Sequence, residues 1–358
     1  MIVFPINYPV DSADRDGMMK RVLAIDSLLD LHDRIYLDIS FSRNIKANME
    51  NINDNVKVYH VNFFMHFIFI FSVIRKCRLI YAHSVYSLLA VFPFVGFTKL
   101  VLDIHGVVPE ECTMMNCRFK SYMYGWLERN AVKKATLLVH VSENMLKYFE
   151  LKYKLKLSGR SLVLPIFDPL DSEGKIKSKP PGVVVVYAGG DQVWQNVRIM
   201  METVRRCHAE GNKFGISFKF FFPLSSVKRI RESYADVFDL PEVSIGSASK
   251  REVVSQLASA HYGFILRDDS VVNNVACPTK VVEYISLGVV PVVISENIGD
   301  FSLMGYSFIF LDSLFSGVLS KSYWDVCVAN NNLIYQLFLL KVKGSAKDLK
   351  RQVQFLDS

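Results

Sequence analysis

The chain has 358 residues, more than one hydrophobic core usually supports, so the sequence predicts two domains. Apolar residues make up 51% of it and aromatic residues 13%, which excludes a disordered or fibrous protein. The net charge is +7, but the basic residues are scattered and no basic tract is interleaved with aromatic residues, so no nucleic-acid partner is expected. An anionic small molecule or an anionic membrane surface fits the sign of the charge.

The first half of the chain alternates strand and helix patterns. Residues 17–31 have the apolar spacing of a helix, and further helices are expected in most of the gaps between strands. The strands are predicted at residues 1–6, 34–39, 56–60, 78–82, 99–103 and 136–141. The first of them lacks the basic and long apolar regions of a signal peptide. This alternation predicts a doubly wound, Rossmann-like α/β domain over residues 1–167.

The apolar stretch at residues 61–74 is too short to cross a hydrocarbon layer of about 30 Å. Arg75, Lys76 and Arg78 follow it directly. An apolar face with a basic edge suits a helix that lies on anionic lipid. A helix buried inside the domain explains the same pattern equally well.

The six cysteines have no paired short spacing of the kind found in zinc sites, and they fit a reduced cytosolic protein. Cys112 and Cys117 lie near His105 and Glu110 in the sequence, which raises the possibility of a metal site. The irregular spacing of these four residues disfavours it.

The alternation stops at residues 168–181, which are charged and contain proline, and this segment is predicted to be an interdomain linker. A second alternation begins with the valine-rich strand at residues 183–187. Its helices are predicted at residues 194–210, 249–259 and 278–287, and its further strands at 216–222, 262–266 and 289–294. Residues 182–337 are therefore expected to form a second Rossmann-like domain. A final helix at about residues 338–358 is expected to pack back on the first domain.

The helix predicted at residues 278–287 begins and ends with residues suited to those places. Pro278 fits a first helical position, and Gly288 fits the left-handed residue that ends a helix. A helix that starts above a parallel sheet points unpaired N–H groups and a partial positive charge at a ligand, and phosphate is the natural ligand. Ligands of such sheets bind at the carboxyl ends of strands, so the turn at Gly189 and the loop at residues 267–280 are expected to form one pocket.

Three side chains of this helix are spaced to lie near one face. Lys280 and Glu283 are three residues apart, and Thr279 and Glu283 are four apart. A cation for phosphate and a carboxylate that accepts two hydrogen bonds from a diol suit a ribose joined to a diphosphate. A surface Lys–Glu pair on an ordinary helix explains the spacing equally well.

With these motifs the chain resembles the retaining GT-B glycosyltransferases (glycosyl transferases group 1, family 4-like) that use nucleotide-sugar donors, particularly those of bacterial surface polysaccharide pathways. The specific part of the resemblance lies in the second half: Tyr187-Ala188-Gly189-Gly190, Trp194, Cys277-Pro278-Thr279-Lys280, Glu283-Tyr284 and Gly288. The first half matches more loosely, through Tyr8-Pro9-Val10-Asp11, Gly17, Arg21, Asp103-Ile104-His105-Gly106 and Val141-Ser142-Glu143. The resemblance implies the GT-B fold, in which two Rossmann-like domains face each other across a cleft.

The resemblance implies a donor-binding set, in which a glutamate binds the ribose, a loop cradles the diphosphate and sugar, and glycines let the phosphates approach the backbone. In that order these residues are Glu283; Pro278, Thr279 and Lys280; and Gly189 and Gly190. Gly17 corresponds to a loop of the first half that lies near the donor phosphates. The resemblance also implies that a histidine of the first half lies beside the acceptor and the reacting carbon, which here is His105.

For His105, and for the aspartates before the first helix, position in the sequence allows two interpretations each. His105 follows a predicted strand and is expected on a loop at its carboxyl end, either as a catalytic or substrate-orienting residue with Asp103 as partner, or as a structural histidine. Asp11, Asp14 and Asp16 precede the first helix, where they either cap it or bind the acceptor.

The chain departs from the family pattern at two positions. Gln195 follows Trp194 where many members have a lysine, and Val275 stands where many have a second glutamate. Arg267 is the candidate replacement cation, because a guanidinium can hold two phosphate oxygens. A surface ion pair with a neighbouring aspartate is the other interpretation of Arg267.

Glycosyl transfer builds negative charge on the leaving diphosphate, so it needs fixed positive potential more than a strong base. The helix start at Thr279, with Lys280 and Arg267, supplies that potential without a metal. Arg267 and Lys280 are therefore predicted catalytic residues, and His105 joins them through its position and the family resemblance. The adjacent Asp268 and Asp269 are a weak signal for metal binding, so no metal and no cofactor are expected.

The predicted function is a hexosyltransferase-like enzyme that moves a sugar from a nucleotide-diphosphate sugar to a lipid-linked bacterial surface polysaccharide, such as O-antigen, lipopolysaccharide or capsule. The resemblance implies retention of anomeric configuration and a cytoplasmic enzyme, peripheral on the inner membrane. The alternative is a degenerate GT-B protein that binds nucleotide or carbohydrate without transfer, which Gln195 and Val275 motivate. A nicotinamide-dependent oxidoreductase is disfavoured, because no Gly-x-Gly-x-x-Gly follows the first strand of either half.

Overall fold

The computed structural model describes residues 1–9, 17–166, 179–316 and 319–357. The chain divides into two compact units, called here the first unit and the second unit. The first unit consists of Met1–Asp168, Val275–Cys277 and Leu340–Ser358, and the second unit of Pro169–Asn274 and Pro278–Leu339. Most of the predicted linker at residues 168–181 lies outside the described residues, as do Asp11, Asp14 and Asp16.

The first unit contains an eight-stranded sheet in the order β3-β4-β2-β1-β5-β6-β7-β8. Its strands are β1 (Ile2–Phe4), β2 (Arg34–Ser40), β3 (Asn48–Asn53), β4 (Val56–Asn62), β5 (Leu79–His83), β6 (Lys99–Ile104), β7 (Leu137–His140) and β8 (Ser161–Val163). Its helices are α1 (Gly17–Leu28), α2 (Phe67–Lys76), α3 (Ser84–Leu88), α4 (Val108–Met114), α5 (Arg118–Lys134) and α6 (Glu143–Tyr153), with short 3₁₀ helices at Phe92–Phe97 and Ser158–Arg160. All neighbouring strands are parallel except β3 and β4.

The second unit contains a six-stranded parallel sheet in the order β11-β10-β9-β12-β13-β14. Its strands are β9 (Val183–Ala188), β10 (Ile216–Phe221), β11 (Val243–Gly246), β12 (Tyr262–Ile265), β13 (Val290–Val293) and β14 (Ile309–Phe310). Its helices are α7 (Val197–Ala209), α8 (Leu224–Ser233), α9 (Ala235–Phe238), α10 (Lys250–Ser259), α11 (Val271–Asn274), α12 (Thr279–Ser286) and α13 (Phe301–Met304), with 3₁₀ helices at Val193–Gln195 and Leu311–Phe315. The last helix, α14 (Lys321–Asp357), begins in this unit and ends in the first.

Each unit is built around aromatic and aliphatic side chains of its central strands. In the first unit Phe4 stacks on Tyr36, with ring centroids 4.9 Å apart. Leu349 and Val353, near the end of α14, are fully buried in the same cluster. In the second unit Phe220 of β10 stacks on Phe264 of β12, at 6.1 Å, on one face of the sheet in which β9 lies between these two strands. Strands that are buried on both faces consist of consecutive apolar residues, and this pattern is why they could be predicted from the sequence.

The α/β fold class, with two sheets that are mainly parallel, is confirmed. Strand β3 was not predicted, because all six of its residues are exposed and carry no apolar alternation. It pairs antiparallel with β4 at the edge of the sheet. No helix in the described part of the chain is both long and apolar enough to cross a membrane.

Candidate active site

The second unit gathers several of the predicted donor-binding residues at the carboxyl end of β9. The N–H of Gly189 donates to the carbonyl of Phe221, which continues the ladder between β9 and β10. The Lys280 side chain passes over Gly189, so closely that a Cβ at residue 189 would lie 2.5 Å from Lys280 Nζ. Lys280 Nζ also lies 5.5 Å from the centre of the Tyr187 ring. Glycine at position 189 is therefore what allows the lysine to lie against the strand end.

The turn after β9 is anchored on both sides. Tyr187 Oη donates to the carbonyl of Gly190 at 2.5 Å, and Tyr187 itself is fully buried. Asp191 accepts a hydrogen bond from Ser226 Oγ at 2.9 Å and from Arg229 Nε at 3.0 Å. Both partners of Asp191 lie on α8. The glycine turn is thus held in place by a buried phenol and by one neighbouring helix.

Helix α12 starts beside this turn, although one residue later than predicted. Pro278 is the N-cap, with φ −75° and ψ 106°, and the first helical residue is Thr279. Pro278 was expected at the first helical position, and that prediction was wrong, because its ψ is extended and not helical. The first turn of α12 contains no acidic residue that would neutralise the positive end of the helix dipole.

The end of α12 agrees with the prediction. Gly288 has φ +65°, a left-handed conformation that suits glycine. Its N–H donates to the carbonyl of Ile285 at 3.3 Å, and the N–H of Val289 donates to the carbonyl of Tyr284 at 2.9 Å. This pair of hydrogen bonds is a Schellman motif. Tyr284 packs its ring against Gly263 of β12, where a Cβ would lie 2.6 Å from Tyr284 Cδ2.

Arg267 lies two residues beyond the end of β12 and is 9% exposed. Burial raises the pKa of the Tyr187 phenol, and the positive charge of Arg267 partly offsets this rise. Arg267 is therefore close enough to act electrostatically on the phenol that lies beside Lys280. Asp268 accepts from Asn196 Nδ2 at 3.0 Å, and Asp269 accepts from Asn274 Nδ2 at 2.6 Å. The burial of Arg267 does not match the interpretation of a solvated surface ion pair.

Glu283 is half-buried on α12, one turn after Thr279.

The two positions that depart from the family pattern are both buried. Gln195 is 6% exposed within its 3₁₀ helix, and Val275 is 4% exposed. Val275 belongs to the first unit, where its carbonyl accepts a hydrogen bond from Ser142 Oγ at 2.5 Å.

The first unit contains a buried polar cluster centred on Asp103, at the carboxyl end of β6. Arg21 binds both carboxylate oxygens of Asp103, with Nη2 to Oδ1 at 2.9 Å and Nε to Oδ2 at 3.0 Å. Tyr81 Oη donates to Oδ2 at 3.1 Å. His105 Nε2 lies 3.2 Å from Oδ2, and His83 Nδ1 lies 3.5 Å from it. This group of five residues is called the Asp103 cluster below.

The charges of this cluster follow from its burial. Burial alone would raise the pKa of Asp103, but Arg21 and His105 hold it well below its ordinary value. Burial lowers the pKa of His83 to about 4, so that the ring is neutral at pH 7. Arg21 Nη1 also donates to the carbonyl of Leu164 at 3.0 Å. The cluster is therefore an ion pair whose guanidinium and carboxylate groups are both hydrogen-bonded.

Sequence reasoning anticipated Asp103 and His105 but missed Tyr81 and His83. These two residues lie on β5, the neighbour of β6 in the sheet, and no local pattern reveals that neighbourhood. Both ring nitrogens of His105 are buried and make no hydrogen bond among the described residues, although Nε2 lies 3.2 Å from Asp103 Oδ2. Gly17 begins α1 in the first unit.

His83, Asp103 and His105 offer three ligand atoms within 4.8 Å of one another, a spacing that a metal ion could use. However, Asp103 Oδ2 already accepts from Arg21 and Tyr81, and Arg21 supplies the positive charge that a metal would bring. These residues therefore fit an ion pair better than a metal centre. Within the ranges that the structure describes, Cys112 and Cys117 do not join any group of three metal ligands.

No protein-family model matches the sequence, and no curated protein matches it. Solved structures do match. Sucrose-phosphate synthase from Thermosynechococcus elongatus superposes with a TM-score of 0.68 at 11% identity, over 99% of this chain and 98% of that one. Anabaena HepE in complex with UDP-glucose gives 0.67 at 12% identity, over 98% and 99%. An α,α-trehalose-phosphate synthase (UDP-forming) from Burkholderia vietnamiensis gives 0.63 at 10% identity, over 99% and 96%.

The fold is GT-B. At these identities the likeness establishes the GT-B fold and leaves the activity to be inferred from the residues.

Proposed function

We propose that this GT-B protein is a glycosyltransferase that takes a sugar from a nucleotide-diphosphate donor. The observation that carries the proposal is the placement of Lys280 over Gly189, where the end of β9 meets the start of α12. A cation, a glycine turn and a helix N-terminus at one place are suited to a diphosphate. The solved structures with this fold include HepE in complex with UDP-glucose, which supports a nucleotide-sugar donor here.

The proposed mechanism places positive potential where negative charge develops. As the bond between the sugar and the diphosphate breaks, charge builds on the leaving phosphate, and the start of α12 with Lys280 and Arg267 stabilises it. Glu283 accepts hydrogen bonds from the ribose hydroxyls. Arg267 takes the place of the lysine that Gln195 replaces. The protein's own cations fulfil the electrostatic requirement, so we propose that transfer needs no metal and no cofactor.

His105 is proposed to act on the acceptor side as a catalytic or substrate-orienting residue. In this proposal Asp103, which is held by Arg21, orients the His105 ring through Nε2, 3.2 Å from Asp103 Oδ2. Gly17 is proposed to lie near the donor phosphates. Retention of the anomeric configuration is part of the proposal through the family resemblance.

The proposed acceptor is a lipid-linked oligosaccharide of a bacterial surface polysaccharide, such as O-antigen, lipopolysaccharide or capsule. The protein would then work in the cytoplasm, bound peripherally to the inner membrane. The excess of basic residues supports an anionic membrane surface as a partner.

A panel of nucleotide sugars tests the donor site, because a ligand that binds only the folded protein raises its melting temperature. Glu283→Ala is expected to abolish the stabilisation and the transfer to a lipid-linked acceptor, while the unliganded melting temperature stays near that of the wild type. Glu232→Ala is the matched control, since Glu232 is an exposed glutamate of the same unit. Near-normal transfer by Glu283→Ala would contradict the proposed donor site.

The second candidate function is nucleotide or carbohydrate binding without transfer. It is favoured by the burial of Gln195 and Val275 at positions where many members of the family have a donor-contacting lysine and glutamate. A nucleotide sugar that stabilises the protein but is neither transferred nor hydrolysed, with any acceptor of the panel, would support this function.

A further inference from the structure

The first unit exposes large apolar side chains around α2. This helix buries Ile70 and Ile74, whereas Ile68 is 81% exposed. In the turn that precedes α2, Phe64 is 68% exposed and Met65 is 69% exposed. The sequence allowed either a buried helix or a helix on a lipid surface, and the structure shows one buried side and one exposed apolar side.

The exposed residues form one continuous surface with the 3₁₀ helix Phe92–Phe97. Ring contacts run from Phe67 to Phe94 at 5.0 Å, from Phe94 to Phe71 at 5.7 Å and from Phe71 to Phe97 at 5.3 Å. Phe97, at the end of this series, is 62% exposed. Phe94, which links Phe67 to Phe71, is buried, so this ring joins the exposed aromatic residues on either side of it. Exposed aromatic residues linked in this way form a patch, in contrast to the single apolar residues that are common on protein surfaces.

Helix α5 extends the same surface. Phe119 is 80% exposed, Tyr122 is 79% exposed and Trp126 is 56% exposed, at helical spacings that place the three on one face. The Trp126 ring lies 5.4 Å from the ring of Phe92, which joins this stripe to the 3₁₀ helix. We call the surface formed by α2 with its preceding turn, Phe92–Phe97 and α5 the aromatic patch.

The exposed charged residues of α2 and α5 are all basic. The sequence contains no Asp or Glu from residue 55 to residue 102. The exposed basic residues around the patch are Arg75, Lys76, Arg78, Arg118 and Lys120. Glu128 is the one acidic residue of α5, and it is fully buried and bound by Lys152 Nζ at 2.6 Å. An occupant that is both anionic and apolar suits this surface.

We propose that the aromatic patch is a docking surface for an anionic lipid membrane. Protein segments that anchor at a membrane interface place aromatic side chains at the level of the lipid headgroups and basic side chains beside them. The aromatic patch has this composition. A second copy of the chain is disfavoured, because a two-fold contact would bring the same basic residues against each other. The proposal rests on the proposed function, since it names the surface that brings the enzyme to a lipid-linked acceptor.

Flotation of the full chain with vesicles tests the proposal. The protein should float with phosphatidylglycerol vesicles, should not float with phosphatidylcholine vesicles, and should be released by salt. Phe64→Ser with Ile68→Ser, and separately Arg75→Gln with Lys76→Gln, should each weaken binding at least ten-fold. These side chains are exposed, so the melting temperature should hardly change.

Matched controls come from other exposed positions. Leu333→Ser with Leu337→Ser removes leucines of α14 that are 66% and 55% exposed, and Lys213→Gln with Lys228→Gln removes two exposed cations of the second unit. Neither control should affect flotation. Fluorescence supplies a second measurement, because lipids with brominated chains should quench Trp126, and the quenching should disappear in Trp126→Phe.

Three outcomes would overturn the proposal: no flotation with phosphatidylglycerol vesicles, equal flotation with both lipids, or equal losses in the patch and control variants. Self-association in sedimentation that Phe64→Ser with Ile68→Ser removes, without vesicle binding, would assign the patch to a second copy. Donor stabilisation is measured separately in the absence of lipid. If no nucleotide sugar stabilises the protein but the protein floats with phosphatidylglycerol vesicles, the proposed function is contradicted and the membrane surface is not. If a nucleotide sugar stabilises the protein but flotation fails, the membrane surface is contradicted and the proposed function is not.

Discussion

Both units place basic side chains at the carboxyl ends of central strands, but they surround them with different partners. Arg21 of the first unit is 2% exposed and is bound to a carboxylate that is fully buried. Lys280 of the second unit is half-buried and lies over a glycine and an aromatic ring. The first arrangement holds its charges inside the protein, and the second lies where the proposed function puts the donor diphosphate. We infer that the Asp103 cluster positions residues, while the surroundings of Gly189 bind a ligand.

The largest effect is expected from breaking the ion pair of the first unit. Asp103→Ala leaves the Arg21 guanidinium buried without its carboxylate, and such changes cost about 3–5 kcal/mol of unfolding free energy. Denaturant unfolding measures this change. Replacing Arg21 by Met in the same variant should recover part of the loss, because no unpaired charge then remains.

Asp236→Ala is the control for this experiment. It breaks an exposed pair in which Arg205 Nε lies 2.6 Å from Asp236 Oδ2, and exposed pairs contribute little to stability. Equal losses from the exposed and the buried pair would contradict the difference between the two units.

A pH titration sharpens the same comparison, because His83 of the Asp103 cluster is buried in its neutral form. Burial lowers its pKa from 6.5 to about 4. Between these values the unfolded chain binds a proton that the folded chain does not, so the free energy of unfolding should fall as the pH drops from about 6.5 to about 4. A shift of this size corresponds to roughly 3 kcal/mol.

His140 on β7 shares this behaviour, since burial also lowers its pKa to about 4. His83→Gln should therefore remove only part of the pH dependence. A free energy of unfolding that is independent of pH across this window would show that neither buried histidine is kept neutral.

The two units also differ in how much of each the sequence could predict. The apolar runs of β6 and β9 were found nearly to the residue, because buried parallel strands need apolar side chains on both faces. The approach of α12 to Gly189 was predicted from the segment at residues 277–288, in which proline, charged residues and glycine have separate roles. The Asp103 cluster was found only in part, because Tyr81 and His83 join it through the pairing of β5 with β6, which no local pattern encodes.

Backbone conformation adds a second limit to prediction. Ser84, directly after His83, has φ +69°, a left-handed conformation that is unusual for serine. Asn196 has φ 52° and ends the 3₁₀ helix that precedes α7, so the helix predicted at residues 194–210 begins at Val197. Asparagine tolerates this conformation and could have signalled the break, whereas Ser84 offered no such signal.

The smallest of these effects should be confined to the ligand-binding unit. Gly189→Ala places a methyl group where Lys280 now lies, so the lysine must move away from the end of β9. If Lys280 binds the donor diphosphate, donor affinity should fall at least ten-fold, which corresponds to about 1.4 kcal/mol. Gly246→Ala at the end of β11 is the matched control, because no atom lies within 4 Å of the Cβ it adds. Calorimetric titration with the stabilising nucleotide sugar measures both variants. Unchanged affinity in Gly189→Ala would mean that the position of Lys280 does not matter for the donor, and the contrast between a charge-holding unit and a ligand-binding unit would then have to rest on Arg267 alone.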